Sequence, residues 1–126
     1  MKVLQVIDQA FRTTTEEQDD TILWLTQSMR GAGGDLMVLL SGHGVHYAVL
    51  SERQPALELG SWQQQQPSEI PRDIANLVNS GVPVFAVRDD LEERGLAHLP
   101  LQGKVELVSR DSLPDLYEQA DQIWHW

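Results

Sequence analysis

Apolar residues along this chain follow two rhythms. Val3 to Ile7 is a short apolar run ended by Asp8, and Leu36-Met37-Val38-Leu39-Leu40 is a continuous one closed by Ser41-Gly42. A run without polar alternation suits a strand buried on both faces of a sheet, because neither face then meets water. Between the two runs, Thr14 and Glu17 have the spacing of a capping box. Ile22, Leu25 and Met29 recur there at helical spacing beside Leu23, Trp24 and Thr26, until Gly31 and Gly33-Gly34 stop the helix. Strand, helix and strand in this order predict a parallel crossover unit.

Beyond Gly44 a short helix is expected through Tyr47 and Leu50. Residues 51–68 then lose periodicity and carry Pro55, Gly60, Pro67 and the run Gln63 to Gln66. This stretch reads as a surface loop, and connections of its length are often lids or binding loops. Three readings stay open for it: a lid, an interface or a merely mobile segment. Periodicity returns with Ile70, Ile74, Leu77 and Val78, a helix closed by Ser80-Gly81. Pro83 to Val87 is a third strand, and Asp89 to Gly95 makes one or two helical turns with acids at the positive end. A fourth strand is expected from Lys104 to Val108, a helix from Ser112 to Ala120 and a fifth strand from Gln122 to Trp126. The expected architecture is α/β: a three-layer sandwich with a five-stranded, mainly parallel sheet and helices on both faces. Residues 1–126 read as a single domain.

Composition narrows the function. Nine Lys plus Arg against nineteen Asp plus Glu give a net charge of −10 in 126 residues. That balance argues against nucleic acid and against an anionic membrane surface, since both require clustered basic side chains. The apolar runs are too short for a signal sequence or a membrane span, so a cytoplasmic location is expected. The chain has no cysteine. This removes the thiolate nucleophile, the persulfide carrier, the Cys-type zinc site and the disulfide together.

Chemistry-bearing residues collect after the predicted strands. Gly42-His43-Gly44-Val45-His46 follows the second strand, where open α/β sheets bind ligands, and free amides there can hold an anion. A dinucleotide is not expected, because Tyr47 stands where the third glycine of that fingerprint belongs. His43 and His46 are three apart and can share a helical face, but two ligands do not make a metal site, and neither metal nor cofactor is expected. Arg88-Asp89-Asp90 follows the third strand and should reach the same edge. The edge candidates for a ligand are therefore Gly42, His43, Gly44, His46, Arg88 and Asp89. The plainer account makes Asp89 or Asp90 an N-cap and Arg88 its solvated partner. Trp124 and Trp126 fall on one strand face and His125 on the other, as interface anchors or as core. Trp24 allows the same two readings, while Trp62, in a polar loop, favours contact with a partner.

A family likeness gathers these features. The chain opens on Lys2-Val3-Leu4-x-Val6, and its first helix ends in Gly31-Ala32-Gly33-Gly34-Asp35. The Leu36 to Leu40 strand runs into Gly42-x-Gly44-Val45, and Asn79-Ser80-Gly81-Val82-Pro83-Val84 and Arg94-Gly95-Leu96 come after it. Val105 to Ser109, Ser112 to Leu116 and Ala120 to Trp124 close the pattern. Together they resemble the DsrE/DsrF-like superfamily, which includes the Tus and Dsr sulfur-relay subunits, over almost the whole chain. The resemblance implies a compact five-stranded α/β fold, trimers, hexamers or heterohexamers, and a cytoplasmic relay of sulfur as cysteine persulfide. It also implies a sulfur-carrying cysteine seven or four residues before the Arg of the Arg-Gly pair. Counting back from Arg94, those positions hold Val87 and Asp90. Neither an isopropyl group nor a carboxylate can carry persulfide sulfur, so direct sulfur transfer is excluded. The expectation is a non-catalytic structural or regulatory subunit, either a homo-oligomer (trimer or hexamer) or the partner of a cysteine-bearing paralogue. The alternative is a small-molecule or anion-binding protein, or a non-thiol enzyme, using the strand-end residues.

Overall fold

In a computed structural model the chain is described at residues 1–10, 21–51, 56, 58–63 and 69–126, with Thr21 and Trp24 described by backbone alone. The capping box at Thr14 and Glu17 and the side-chain reading of Trp24 lie outside the described residues. Strands β1 (Lys2–Ile7), β2 (Asp35–Leu40), β5 (Val84–Val87), β6 (Glu106–Val108) and β7 (Gln122–His125) form one sheet in the order β6-β5-β2-β1-β7. Every pairing in it is parallel. The two continuous apolar runs lie in the middle, β2 directly beside β1.

Alternation along the strands divides two cores. Val3, Ile7, Leu36, Val38, Leu40, Val84 and Ala86 face the larger one. Helices α1 (Thr21–Gly31) and α2 (Ile70–Asn79) cover it with Ile22, Leu23, Ile74 and Leu77. Leu91 of helix α3 (Arg88–Glu93) and Val45 and Tyr47 of a 3-10 segment (Gly42–Ala48) join the same face. Leu4, Val6, Met37, Leu39 and Val87 face the smaller core, against Leu116 of helix α4 (Leu113–Glu118). Helices therefore lie on both faces, as a sheet of apolar strands requires.

Two local expectations are corrected. The segment after Gly42 is a 3-10 helix that ends at Ala48, short of Leu50. Inside 51–68, Glu58–Leu59 (β3) and Trp62–Gln63 (β4) pair as an antiparallel hairpin that aperiodic composition did not announce. Leu59 and Trp62 stand opposite one another in it and are 55% and 42% exposed.

A polar strut crosses the larger core. Gln5 has no exposed surface; its Oε1 accepts from Trp126 Nε1 at 2.8 Å, and its Nε2 donates to Thr26 Oγ1 at 2.6 Å. The Thr26 hydroxyl then donates to the Ile22 carbonyl at 2.8 Å. Buried polar groups joined end to end in this way fix α1 and the chain's last residues to β1. Of the terminal tryptophans, Trp124 packs against the larger core, while Trp126 is 36% exposed and is held by its hydrogen bond to Gln5.

Candidate functional site

All parallel strands end on the same edge, so the segments that leave them meet there. Asp8 comes directly after β1, Ser41 to His46 after β2 and Arg88 to Asp90 after β5, while Arg110 stands shortly beyond β6 and His125 closes β7. The sharp turn after β2 requires its two glycines. Gly42 adopts φ +52°, where a Cβ would collide with the Asp8 carboxylate, and a Cβ on Gly44 would overlap the Ile7 carbonyl. Glycine at these two places lets the chain leave the sheet pressed against the end of β1.

Asp90 is the centre of this edge. Its side chain is 13% exposed. It accepts from the Gly42 amide at 2.8 Å through Oδ2 and from Arg110 Nη2 at 2.6 Å through Oδ1. Arg110 Nη2 also donates to Glu93 Oε1 at 3.0 Å, and the Arg110 backbone amide donates to Asp89 Oδ1 at 2.9 Å. That backbone hydrogen bond is the main reason the Asp89 pKa is lowered, while the bonds to Asp90 and Glu93 hold the Arg110 guanidinium protonated. Arg94 donates from Nη1 to the Asp90 carbonyl at 3.1 Å and lies 4.0 Å from its carboxylate. The N-cap of α3 is Val87, with no side-chain cap, so neither Asp89 nor Asp90 caps it. Both lie further in, where their carboxylates reach across to other strand ends.

His43 and His46 lie near enough for the charge of the one to act on the other. His43 is exposed and accepts through Nδ1 a long hydrogen bond from Arg94 Nε at 3.5 Å. The His46 pKa is lowered first by burial, then by the charges at His43 and Arg94. Arg88 is exposed, with its charge acting on Asp89. Val87, by contrast, is 1% exposed within the smaller core. On the β1 side Ser41 Oγ donates to Asp8 Oδ1 at 3.1 Å, and His125 Nε2 lies 3.7 Å from Asp8 Oδ2.

Sequence reasoning missed Asp8, Arg94, Arg110 and His125 as members of this edge. Arg88 was found by its place at the end of a strand, and the same rule finds Asp8, Arg110 and His125 when it is applied to β1, β6 and β7. Chemically, the edge is a cross-braced cluster. Among the described residues no three His, Asp or Glu side chains are grouped to hold a metal ion.

Solved structures share this fold. The ychN protein from E. coli superposes with a TM-score of 0.71 at 19% identity, over 99% of this chain and 97% of that one. At this identity the likeness shows the fold alone, an α/β architecture around a parallel sheet. The conserved protein of unknown function BT1422 from Bacteroides thetaiotaomicron has the same architecture, with a TM-score of 0.68 at 14% identity over 99% and 94% of the two chains. The protein of unknown function MTH1491 from Methanobacterium thermoautotrophicum matches at 0.64 and 18% identity, over 98% and 97%. No family model matches the chain, and no curated protein matches it in sequence. No helix among the described residues is long and apolar enough to cross a membrane.

Proposed function

We propose that this DsrE/DsrF-like chain acts through assembly and carries no sulfur itself, as a structural or regulatory subunit linked to sulfur relay in the cytoplasm. The observation that carries this reading is Asp90. At one of the two positions where the family likeness implies a sulfur-carrying cysteine, a largely buried carboxylate is committed to the Gly42 amide and to Arg110. At the other, Val87 is core. A chain without cysteine that spends these positions on internal bracing keeps the scaffold and has no group for transfer. The exposed Leu59 and Trp62 of the hairpin are suited to contact with further subunits. The test is native mass measurement on the protein alone and mixed with cysteine-bearing paralogues. A trimer, a hexamer or a mixed oligomer is expected, and a strict monomer that binds none of them refutes the proposal.

A second reading rests on the closeness of His43, His46 and Arg94, with the exposed Arg88 following β5 at the same edge of the sheet. These groups can receive a small anion on the outer side of the braced cluster, with Asp89 at its border. Loss of binding in His43→Ala and Arg88→Ala during an anion and metabolite screen supports it; unchanged binding, or no ligand at all, removes it.

A further inference from the structure

The two margins of the main sheet are protected differently. β6, at one margin, is three residues long, and the exposed Lys104, Glu106 and Arg110 place charges in and around it. Short length and charge are what keep a strand edge from pairing with another chain. β7, at the other margin, has a neighbour only in β1 among the described residues, and Gln122-Ile123-Trp124-His125 contains neither lysine nor proline. Trp126 turns both of its backbone groups toward β1, donating to the Val6 carbonyl at 2.9 Å and accepting from the Asp8 amide at 3.1 Å. Alternate residues of a parallel strand face the same neighbour, so Trp124 and Gln122 also bond to β1. The N–H and C=O groups of Ile123 and His125 therefore point away from the sheet. The same two residues are open to solvent, Ile123 at 46% and the His125 side chain at 63%.

We propose that this free edge of β7 joins two copies of the chain, antiparallel about a two-fold axis at Ile123. This rests on the assembly reading above and adds the contact surface and its symmetry. A second copy fits because the strand is complementary to its own reverse. Antiparallel pairing about Ile123 sets that residue against Ile123 of the second copy, where the two exchange both of their backbone hydrogen bonds. It also sets Asp121 opposite the second copy's His125, once on each side of the axis. These three positions alternate along the strand and share one face of the sheet, so an apolar contact is flanked by two pairs of carboxylate and imidazole. Asp121 is already aimed: its Oδ2 accepts from the Lys2 amide at 2.7 Å, and its second oxygen remains for the imidazole. Its own amide donates to the Lys2 carbonyl at 2.8 Å, so each of these pairs adds one backbone bond, from the His125 amide to the Asp121 carbonyl. On the other face Gln122 lies across from Trp124 of the second copy. A self-matching contact of this kind uses copies two at a time, so it belongs to a dimer or to the hexamer and not to a closed trimer.

The experiment measures native mass for the full chain and two kinds of variant. Copies of net charge −10 repel one another, so the measurements are made in about 0.15 M salt, where that repulsion is screened. The unaltered chain is expected as an even-numbered oligomer. Ile123→Lys, which puts two like charges on the axis, is expected to halve the mass and to leave thermal unfolding of the separated chains intact, since Ile123 belongs to neither core. A chain without cysteine also permits a clean covalent trap. Ile123→Cys brings two thiols together across the axis at a spacing that a disulfide spans, and mild oxidation is expected to link the copies in pairs. Glu106→Cys, on β6, is expected not to link. An odd-numbered oligomer, a mass unchanged by Ile123→Lys, no linkage through Ile123→Cys or equal linkage through Glu106→Cys overturns the proposal and leaves the assembly reading standing. A monomer that joins a cysteine-bearing paralogue overturns the proposal alone, and a monomer that joins none overturns both.

Discussion

Among the described residues two glutamines are buried, in opposite circumstances. Gln5, in the middle of β1, has both ends of its amide engaged, one by Trp126 and one by Thr26. Gln102, in the loop before β6, leaves its Nε2 with no partner. The residue type is the same and both are almost fully removed from water, so the difference lies in the groups that the fold brings to meet them. A satisfied buried amide works as a strut, whereas an unsatisfied one is a cost that substitution can relieve. The Asp90 cluster belongs with Gln5: its carboxylate and the donors around it meet one another across three strand ends.

The largest effect is expected at Gln5. Gln5→Leu strands the Trp126 indole N–H and removes the donor to Thr26, and should cost about 2–3 kcal/mol in urea unfolding. A neutral result would erase the contrast with Gln102. Asp90→Ala leaves the Gly42 amide and the Arg110 guanidinium without their shared acceptor. Because Arg110 is half exposed and can turn to water, the expected loss is smaller, about 1–2 kcal/mol. Gln102→Leu should lie on the other side of zero, raising stability by about 0.5–1 kcal/mol, since it removes an unpaired donor and adds apolar contact. If it destabilises as much as Gln5→Leu, the two amides are equivalent and the distinction fails.

The smallest effect is in pH dependence. The folded protein lowers the His46 pKa below its ordinary value, so the unfolded chain takes up the proton first as pH falls. Stability should therefore decline as pH drops through about 6.5 and level off below the folded pKa. His46→Gln should flatten that part of the profile in unfolding titrations at pH 5 to 7.5. Asp89 has the carboxylate form of this linkage: its lowered pKa supports the fold above the ordinary carboxylate range, and that support goes as pH falls further. Asp89→Asn should reduce the loss of stability in acid, and an unchanged acid limb would show that the Arg110 amide bond contributes nothing.

Most of the sheet could be read from the chain because its signal is local. Leu36 to Leu40 has no polar residue, and Gln122 to Trp126 comes after a helix at the expected interval, so each strand announces itself within a few positions. The hairpin at Glu58 and Trp62 could not be read, since two residues on each side carry no period. At the edge, Gly42, His43, His46 and Arg88 were visible because they stand directly after strands. The role of Asp90 was not. A carboxylate at the start of a helix normally suggests a cap, and only the arrival of Gly42 and Arg110 from other strands turns it into a brace.

Sequence by itself determined the five strands of the main sheet, the parallel α/β class and the absence of any thiol, because apolar period and residue identity need no partner to be legible. Tertiary structure alone decided which polar groups found partners. It joined Gln5 to Trp126 across 121 positions and Gly42 to Asp90 across 48, and it left Gln102 without a match. Hydrogen bonds are short and directional, so whether a buried amide is paired depends on where distant segments come to rest.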